Sequence, residues 1–105
     1  MNRLTGLTLM LVLSVTGAQA AEKFRIEPSV WSHYQEYLRT IGSTKSGAFA
    51  VTTDGQASFY TYCPGHCVGT SYGTVATTRC EEEYDSDCVL FAVRDDIRVE
   101  YEIRQ

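Results

Sequence analysis

Basic residues are scarce in this chain. It holds 9 Lys and Arg against 13 Asp and Glu, a formal net charge of -4. A general nucleic-acid binder presents a basic face, and docking on anionic lipid needs clustered Lys and Arg, so neither class of partner is expected. Proline is nearly missing, at 2 residues, and the 8 Gly follow no repeat, which excludes collagen-like and Pro-rich linker chains. The 2 His leave little room for a zinc-protease pair, and neither a Gly-x-Ser-x-Gly element nor a phosphate loop occurs. What remains is ordinary: 105 residues with 44% hydrophobic and 21% charged fit one globular domain and exclude disordered or coiled-coil classes.

The first residues read as an address. Arg3 precedes an apolar run from Leu7 to Val15, and Ala18-Gln19-Ala20-Ala21 follows. A positive start, a short apolar stretch and an Ala-x-Ala end are the three parts of a secretory signal peptide. The run is about half of the 20 or so residues that a bilayer span needs. We therefore expect a cleavable signal over residues 1–20 and a single domain over 21–105. The exported protein, periplasmic or secreted, is expected to carry no transmembrane segment.

Export changes how the cysteines are read. Cys63, Cys67, Cys80 and Cys88 are even in number and all follow the cleavage site, which in an oxidising compartment implies two disulfides. Pairing neighbours would contribute roughly 2 and 2.6 kcal/mol in the chain-entropy model, and nested pairing roughly 3.5 and 3 kcal/mol. That difference is too small to choose between them. Geometry leans to the local pairs, because Pro64-Gly65 is a natural turn centre between Cys63 and Cys67.

Pro28 in a first turn opens a helical pattern in which Val30, Trp31, Tyr34, Leu38 and Ile41 share a face, and Gly42 supplies the stop. Two strand-like runs follow, Ala48 to Thr53 and Gln56 to Tyr62. Asp54-Gly55 lies between them, which predicts a hairpin with positive φ at both turn residues. Residues 63–74 read as a loop. Val75 to Tyr84 reads as a short helix with Val75, Ala76 and Cys80 inward and Glu81, Glu82 and Glu83 at its solvated end. A second hairpin is expected from Cys88–Val93 and Ile97–Ile103, with Ile97, Val99, Tyr101 and Ile103 alternating on one face. The predicted fold is α+β: a small four-stranded, mainly antiparallel sheet of two hairpins with two helices on one face. Its order is helix-hairpin-helix-hairpin.

Gly47-Ala48-Phe49-Ala50-Val51-Thr52-Thr53-Asp54-Gly55, Tyr62-Cys63 with Cys67, Ala76 with Cys80, and Cys88-Val89-Leu90-Phe91-Ala92 together resemble a group of small secreted proteins, mostly proteobacterial, that are domains of unknown function. Their pattern is an Ala-Phe-Ala-Val hairpin ending in Asp-Gly, a helix carrying Ala-x-x-x-Cys, and a second Cys opening the next strand. The similarity covers about residues 46 to 103. It implies a Cys80–Cys88 bridge between helix and strand, and no activity.

The Cys63-Pro64-Gly65-His66-Cys67 segment is the most suggestive chemically. Redox dithiols have two residues between their cysteines, and here there are three. Two thiolates with the His66 imidazole also make a ligand set for Cu(I) or Zn(II). A structural disulfide across a Pro-Gly turn, with His66 in an exposed loop, is the preferred reading. His33 has no partner at a diagnostic spacing and is expected to be an ordinary helix histidine, partly buried or at the surface. Acids between Glu81 and Asp87 lack the order of a calcium loop. Tyr60 and Tyr62, with Ser58, are candidates for an outward contact platform.

The sequence therefore points to a non-catalytic, disulfide-stabilised module without a cofactor, binding an unknown protein or envelope component. The expected surface runs from the loop of residues 63–73 to the acidic end at 81–87, with Tyr62, Tyr72, Glu82 and Glu83 as contacts. A copper- or redox-handling protein using Cys63, His66 and Cys67 is the alternative. Expression through an export pathway should yield a chain beginning at Ala21, 105 − 20 = 85 residues long. Intact-mass measurement checks this, and an exported product still carrying Met1 would refute the signal.

Overall fold

The computed structural model describes residues 23–63 and 71–105. Among these residues the chain forms β1 (Phe24–Ile26), α1 (Pro28–Ile41), β2 (Gly47–Thr52), β3 (Ser58–Tyr62), α2 (Tyr72–Tyr84), β4 (Cys88–Val93), β5 (Asp96–Ile97) and β6 (Tyr101–Ile103). A four-stranded antiparallel sheet has the order β3-β2-β4-β5, and β1 pairs in parallel with β6 in a separate two-stranded sheet. The class is α+β, as expected.

The organising element is β2, whose six residues are all buried. Side chains alternate across a strand, and the sequence assigns a different size to each face. Phe49 and Val51 point into a core built with Val30, Tyr34, Tyr37 and Ile41 of α1, together with Ile26, Phe91 and Ala92. Ala48 and Ala50 point the other way, against Ala76 and Cys80 of α2. The helices therefore cover opposite faces of the sheet, not one face as expected. Small side chains on the second face let α2 settle close to the strand.

The larger core is aromatic. The Phe49 ring lies 5.2 Å from Tyr34, 5.5 Å from Tyr37 and 6.0 Å from Phe91, centroid to centroid. Such edge and tilted pairs add to simple burial. Pairing of β2 with β4 slips between Phe49 and Ala50, which face Ala92 and Leu90 respectively. Phe91 is the extra residue of a β-bulge. The bulge turns Phe91 and its neighbour Ala92 into the same core.

Local structure departs from expectation at four places. The β2–β3 loop is not the two-residue turn, because only Gly55 has positive φ, at 76°. Asp54 instead accepts from the Thr52 hydroxyl and the Gln56 amide at 2.7 and 3.0 Å, and Gly55 donates to the Thr52 carbonyl at 2.7 Å. Helix α2 begins at Tyr72, one turn earlier than predicted, and Val75 is only half-buried. Gly73, read as a loop signal, is a packing residue: a Cβ there would stand 3.0 Å from Leu90. The predicted long last strand is broken. Only Asp96–Ile97 pairs with β4, and Tyr101–Ile103 leaves to join β1. Its alternation was nonetheless true of burial, since Ile97, Val99, Tyr101 and Ile103 all pack on the aromatic core.

Of the cysteine pairings, Cys80–Cys88 is formed, with Cα atoms 6.2 Å apart. This ties the middle of α2 to the start of β4 and excludes the nested arrangement. Cys63 is also disulfide-bonded, while Cys67 lies outside the described residues. No helix among the described residues is long and apolar enough to cross a membrane.

Gly55 also anchors the β1 segment. Its carbonyl accepts from Glu27 N at 2.9 Å, and an added Cβ would lie 1.9 Å from the Arg25 carbonyl oxygen. At Gly42, also at positive φ, the nearest atom to an added Cβ is Arg39 O at 3.7 Å. Gly55→Ala should therefore cost more than the roughly 1 kcal/mol of a backbone penalty alone, and Gly42→Ala about that penalty. Urea denaturation of the two variants tests the order, and equal losses would contradict it.

Candidate functional site

The residues singled out for contact meet on one side of the molecule, along β3 and the face of α2 beside it. Among the described residues β3 pairs only with β2 and is an edge of the sheet. Its alternation places Tyr60 opposite Phe49 on the α1 side. Phe59 packs against the small-residue cluster on the α2 side. Tyr62, at the end of β3, is 45% exposed.

Tyr62 and Tyr72 line one open depression of about 380 Å³ with Phe59, Thr61, Val75 and Arg79. Glu82 and Glu83 line the adjoining depression, of about 270 Å³, with Phe59 and Arg79. The structure thus brings together all four contact candidates, which are spread over residues 62 to 83 of the sequence. Helix α2 does this by presenting Tyr72, Val75, Arg79, Glu82 and Glu83 at helical spacing. Glu81 does not join them as a contact. Its carboxylate accepts from the Cys88 amide at 3.3 Å, capping the start of β4.

Tyr60 and Tyr62 share a face, with ring centroids 6.2 Å apart, but only Tyr62 is available as an outward platform. Tyr60 packs on Tyr37 at 5.3 Å, and its hydroxyl donates to Glu36 Oε2 at 3.0 Å. Ser58 is 5% exposed. The platform expected of these three residues reduces to Tyr62 because α1 covers their shared face at Ser58 and Tyr60, through His33, Tyr37 and Glu36, and leaves Tyr62 at the strand end exposed.

Sequence reasoning missed the cluster at the other end of β3. His33 of α1 places Nδ1 2.5 Å from the Ser58 hydroxyl, and the Tyr84 hydroxyl of α2 donates to the Ser58 carbonyl at 2.7 Å. These residues, with Phe59, Tyr60 and Glu83, line a depression of about 340 Å³. Burial pushes the His33 imidazolium to a pKa below the ordinary histidine value, an effect partly opposed by Glu36. The ring is therefore neutral near pH 7. A neutral histidine beside a serine supplies the first two members of a nucleophilic set. Ser58 is nearly inaccessible, however, and among the described residues no carboxylate bonds the ring's other nitrogen. The cluster ties α1 and α2 to the same residue of the edge strand. No local signal in the sequence could have found it, since His33, Ser58 and Tyr84 are each about 25 residues apart.

Cys63 is 2% exposed and disulfide-bonded, and its amide donates to Ser46 O at 3.1 Å. In this state it offers no thiolate. His66 and Cys67 lie outside the described residues, and among the described residues no three His, Cys, Asp or Glu side chains are grouped to hold a metal ion. Compared with protein-family models, curated proteins and solved structures, the chain matches none.

The lowered His33 pKa makes a stability prediction. Unfolding releases the imidazole to its ordinary value of about 6.5, so the unfolded chain binds the proton first on acidification. Stability should be full above about pH 6.5 and fall as the pH drops through that value toward the folded pKa. His33→Gln should flatten this part of the profile between about pH 7.5 and 5.5, a window in which carboxylates stay ionised. Urea midpoints across that range check it, and identical slopes in both proteins would refute it.

Proposed function

We propose that the chain is an exported, disulfide-stabilised and non-catalytic module that binds a protein or envelope component through the face formed by β3 and α2. One observation supports the reading most directly. Tyr62 and Tyr72 line the same open depression, and Glu82 and Glu83 line the one beside it. Exposed tyrosine gives rigid contact area at low entropic cost, and binding energy in protein interfaces concentrates on such anchors. The disulfides suit an oxidising compartment, in keeping with the leader-like first 20 residues and with the likeness to small secreted proteobacterial domains.

Two covalent ties frame this face. Cys80–Cys88 fixes α2 to β4, and the Cys63 bridge begins immediately after Tyr62. The Cys80–Cys88 bridge holds the contact residues of α2 on a rigid support, which lowers the ordering cost of binding. The acids at the α2 end favour a basic partner surface and should raise its association rate more than its affinity.

Site-specific photo-crosslinking tests the reading in the exporting cell. A photoreactive residue at Tyr62 should give a discrete protein adduct, and one at Arg98, on the β5 side, should not. Glu82→Lys with Glu83→Lys should reduce the Tyr62 adduct severalfold. Equal labelling at the two positions, or none at Tyr62, would overturn the assignment of the face.

A further inference from the structure

We propose that β3 is a strand-addition site whose free edge takes an extended protein segment carrying lysine or arginine side chains. The inference rests on the binding face described above and names the partner's chemistry and its mode of attachment.

The direction of the backbone groups carries it. Thr52 N donates to Ala57 O at 2.9 Å and Cys63 N to Ser46 O at 3.1 Å. These two bonds set the phase of the β2–β3 ladder, so that residues 57, 59, 61 and 63 turn their N–H and C=O toward β2. Ser58, Tyr60 and Tyr62 must then turn theirs away from the sheet. An independent contact agrees: the Ser58 carbonyl is the one that the Tyr84 hydroxyl reaches, at 2.7 Å. The outward N–H and C=O of Tyr60 and Tyr62 have no hydrogen-bond partner among the described residues. Tyr84 closes the edge at one end, and the open part begins at Tyr60.

Exposed edges invite pairing, and proteins blunt the ones they do not use with charge, proline, bulges or brevity. Ser58-Phe59-Tyr60-Thr61-Tyr62 has no charge and no proline, and the bulge of this sheet lies in β4. The opposite edge, β5, is only two residues long and carries the Arg98–Asp96 ion pair at 3.0 Å. Among the described residues, β3 is the edge of the four-stranded sheet that is left open.

Charge chooses among occupants. Glu36 flanks the edge on the α1 side, held by the Tyr60 hydroxyl, and Glu83 flanks it on the α2 side beside Ser58 and Tyr84. Side chains of an added strand alternate between those two sides. Basic residues on either side therefore find an acid, although Arg79 sits further along α2 toward Tyr62. A second copy fits poorly. Antiparallel self-pairing centred on Tyr60 would set the two Glu36 carboxylates on one side of the joined sheet, where like charges repel.

The probe is a blocked six-residue peptide of alternating Lys and Val, titrated against the full folded protein and followed by amide NMR shifts. Shifts should concentrate at Tyr60 and Tyr62. An alternating Glu and Val peptide should bind at least about tenfold more weakly, and so should a Lys and Val peptide N-methylated at the residues that face β3, by the loss of backbone hydrogen bonds. Tyr62→Pro removes one outward N–H at an edge position where proline is tolerated, and should weaken binding more than Tyr62→Ala. If Tyr62→Pro fails to fold, the N-methylated peptide still decides the question. Binding insensitive to N-methylation, equal binding of the Glu peptide, no peptide binding, or a concentration-dependent dimer would each overturn strand addition. Photo-crosslinks at Tyr62 that persist beside such a result would leave the binding face standing, whereas their absence as well would remove both.

Discussion

Burial of β2 on both faces is the constraint from which the rest of the fold follows. A strand with no solvent side needs cover above and below, and Gly47–Thr52 obtains it from two helices of different fit. Phe49 and Val51 demand a deep aromatic layer, supplied largely by Tyr34 and Tyr37 of α1. Ala48 and Ala50 demand a close, shallow contact, supplied by Ala76 and Cys80 of α2. Close packing in interiors leaves little slack, so the sizes on the two faces of one strand fix where both helices lie.

That placement determines the candidate site. Because α2 lies tight against the Ala face, its outer surface meets the edge strand, and Tyr72, Val75, Arg79, Glu82 and Glu83 line the groove beside Phe59 and Tyr62. The Cys80–Cys88 bridge reinforces the same contact from within. His33 and Tyr84 then fasten the two helices to Ser58, one by its hydroxyl and one by its carbonyl. Among the described residues, the edge strand is held at one end and left open at the other.

The peripheral parts depend on longer closures. Tyr37 donates to the Arg94 carbonyl at 2.6 Å, fixing the β4–β5 turn, where Arg94 itself has φ of 58°. Arg104 donates to Glu27 at 2.6 Å and to the Asp54 carbonyl at 2.9 Å, joining the C-terminal strand to the β2–β3 loop and to the start of α1. At partial exposure such an ion pair contributes modestly, but here it also orients the parallel β1–β6 pair.

Periodicity by itself determined α1, its Pro28 start and Gly42 stop, the β2 and β3 strands and the faces of the closing segment. Those features are encoded within a few residues by side-chain pattern and turn chemistry. Tertiary structure decided the rest. The Phe24–Ile26 strand is three residues long and its partner lies 77 positions away, so no local pattern could show it. The break after Ile97 comes from competition between two sheets for one amphipathic run, and alternation is the same in either. Gly73 looked like a loop residue because composition cannot distinguish a glycine needed for flexibility from one needed for close approach. The candidate contact residues Tyr62, Tyr72, Glu82 and Glu83 were visible as types, but their meeting was not. It arises only where a helix packs against an edge strand, and that depends on the sizes of Ala48 and Ala50 beneath them.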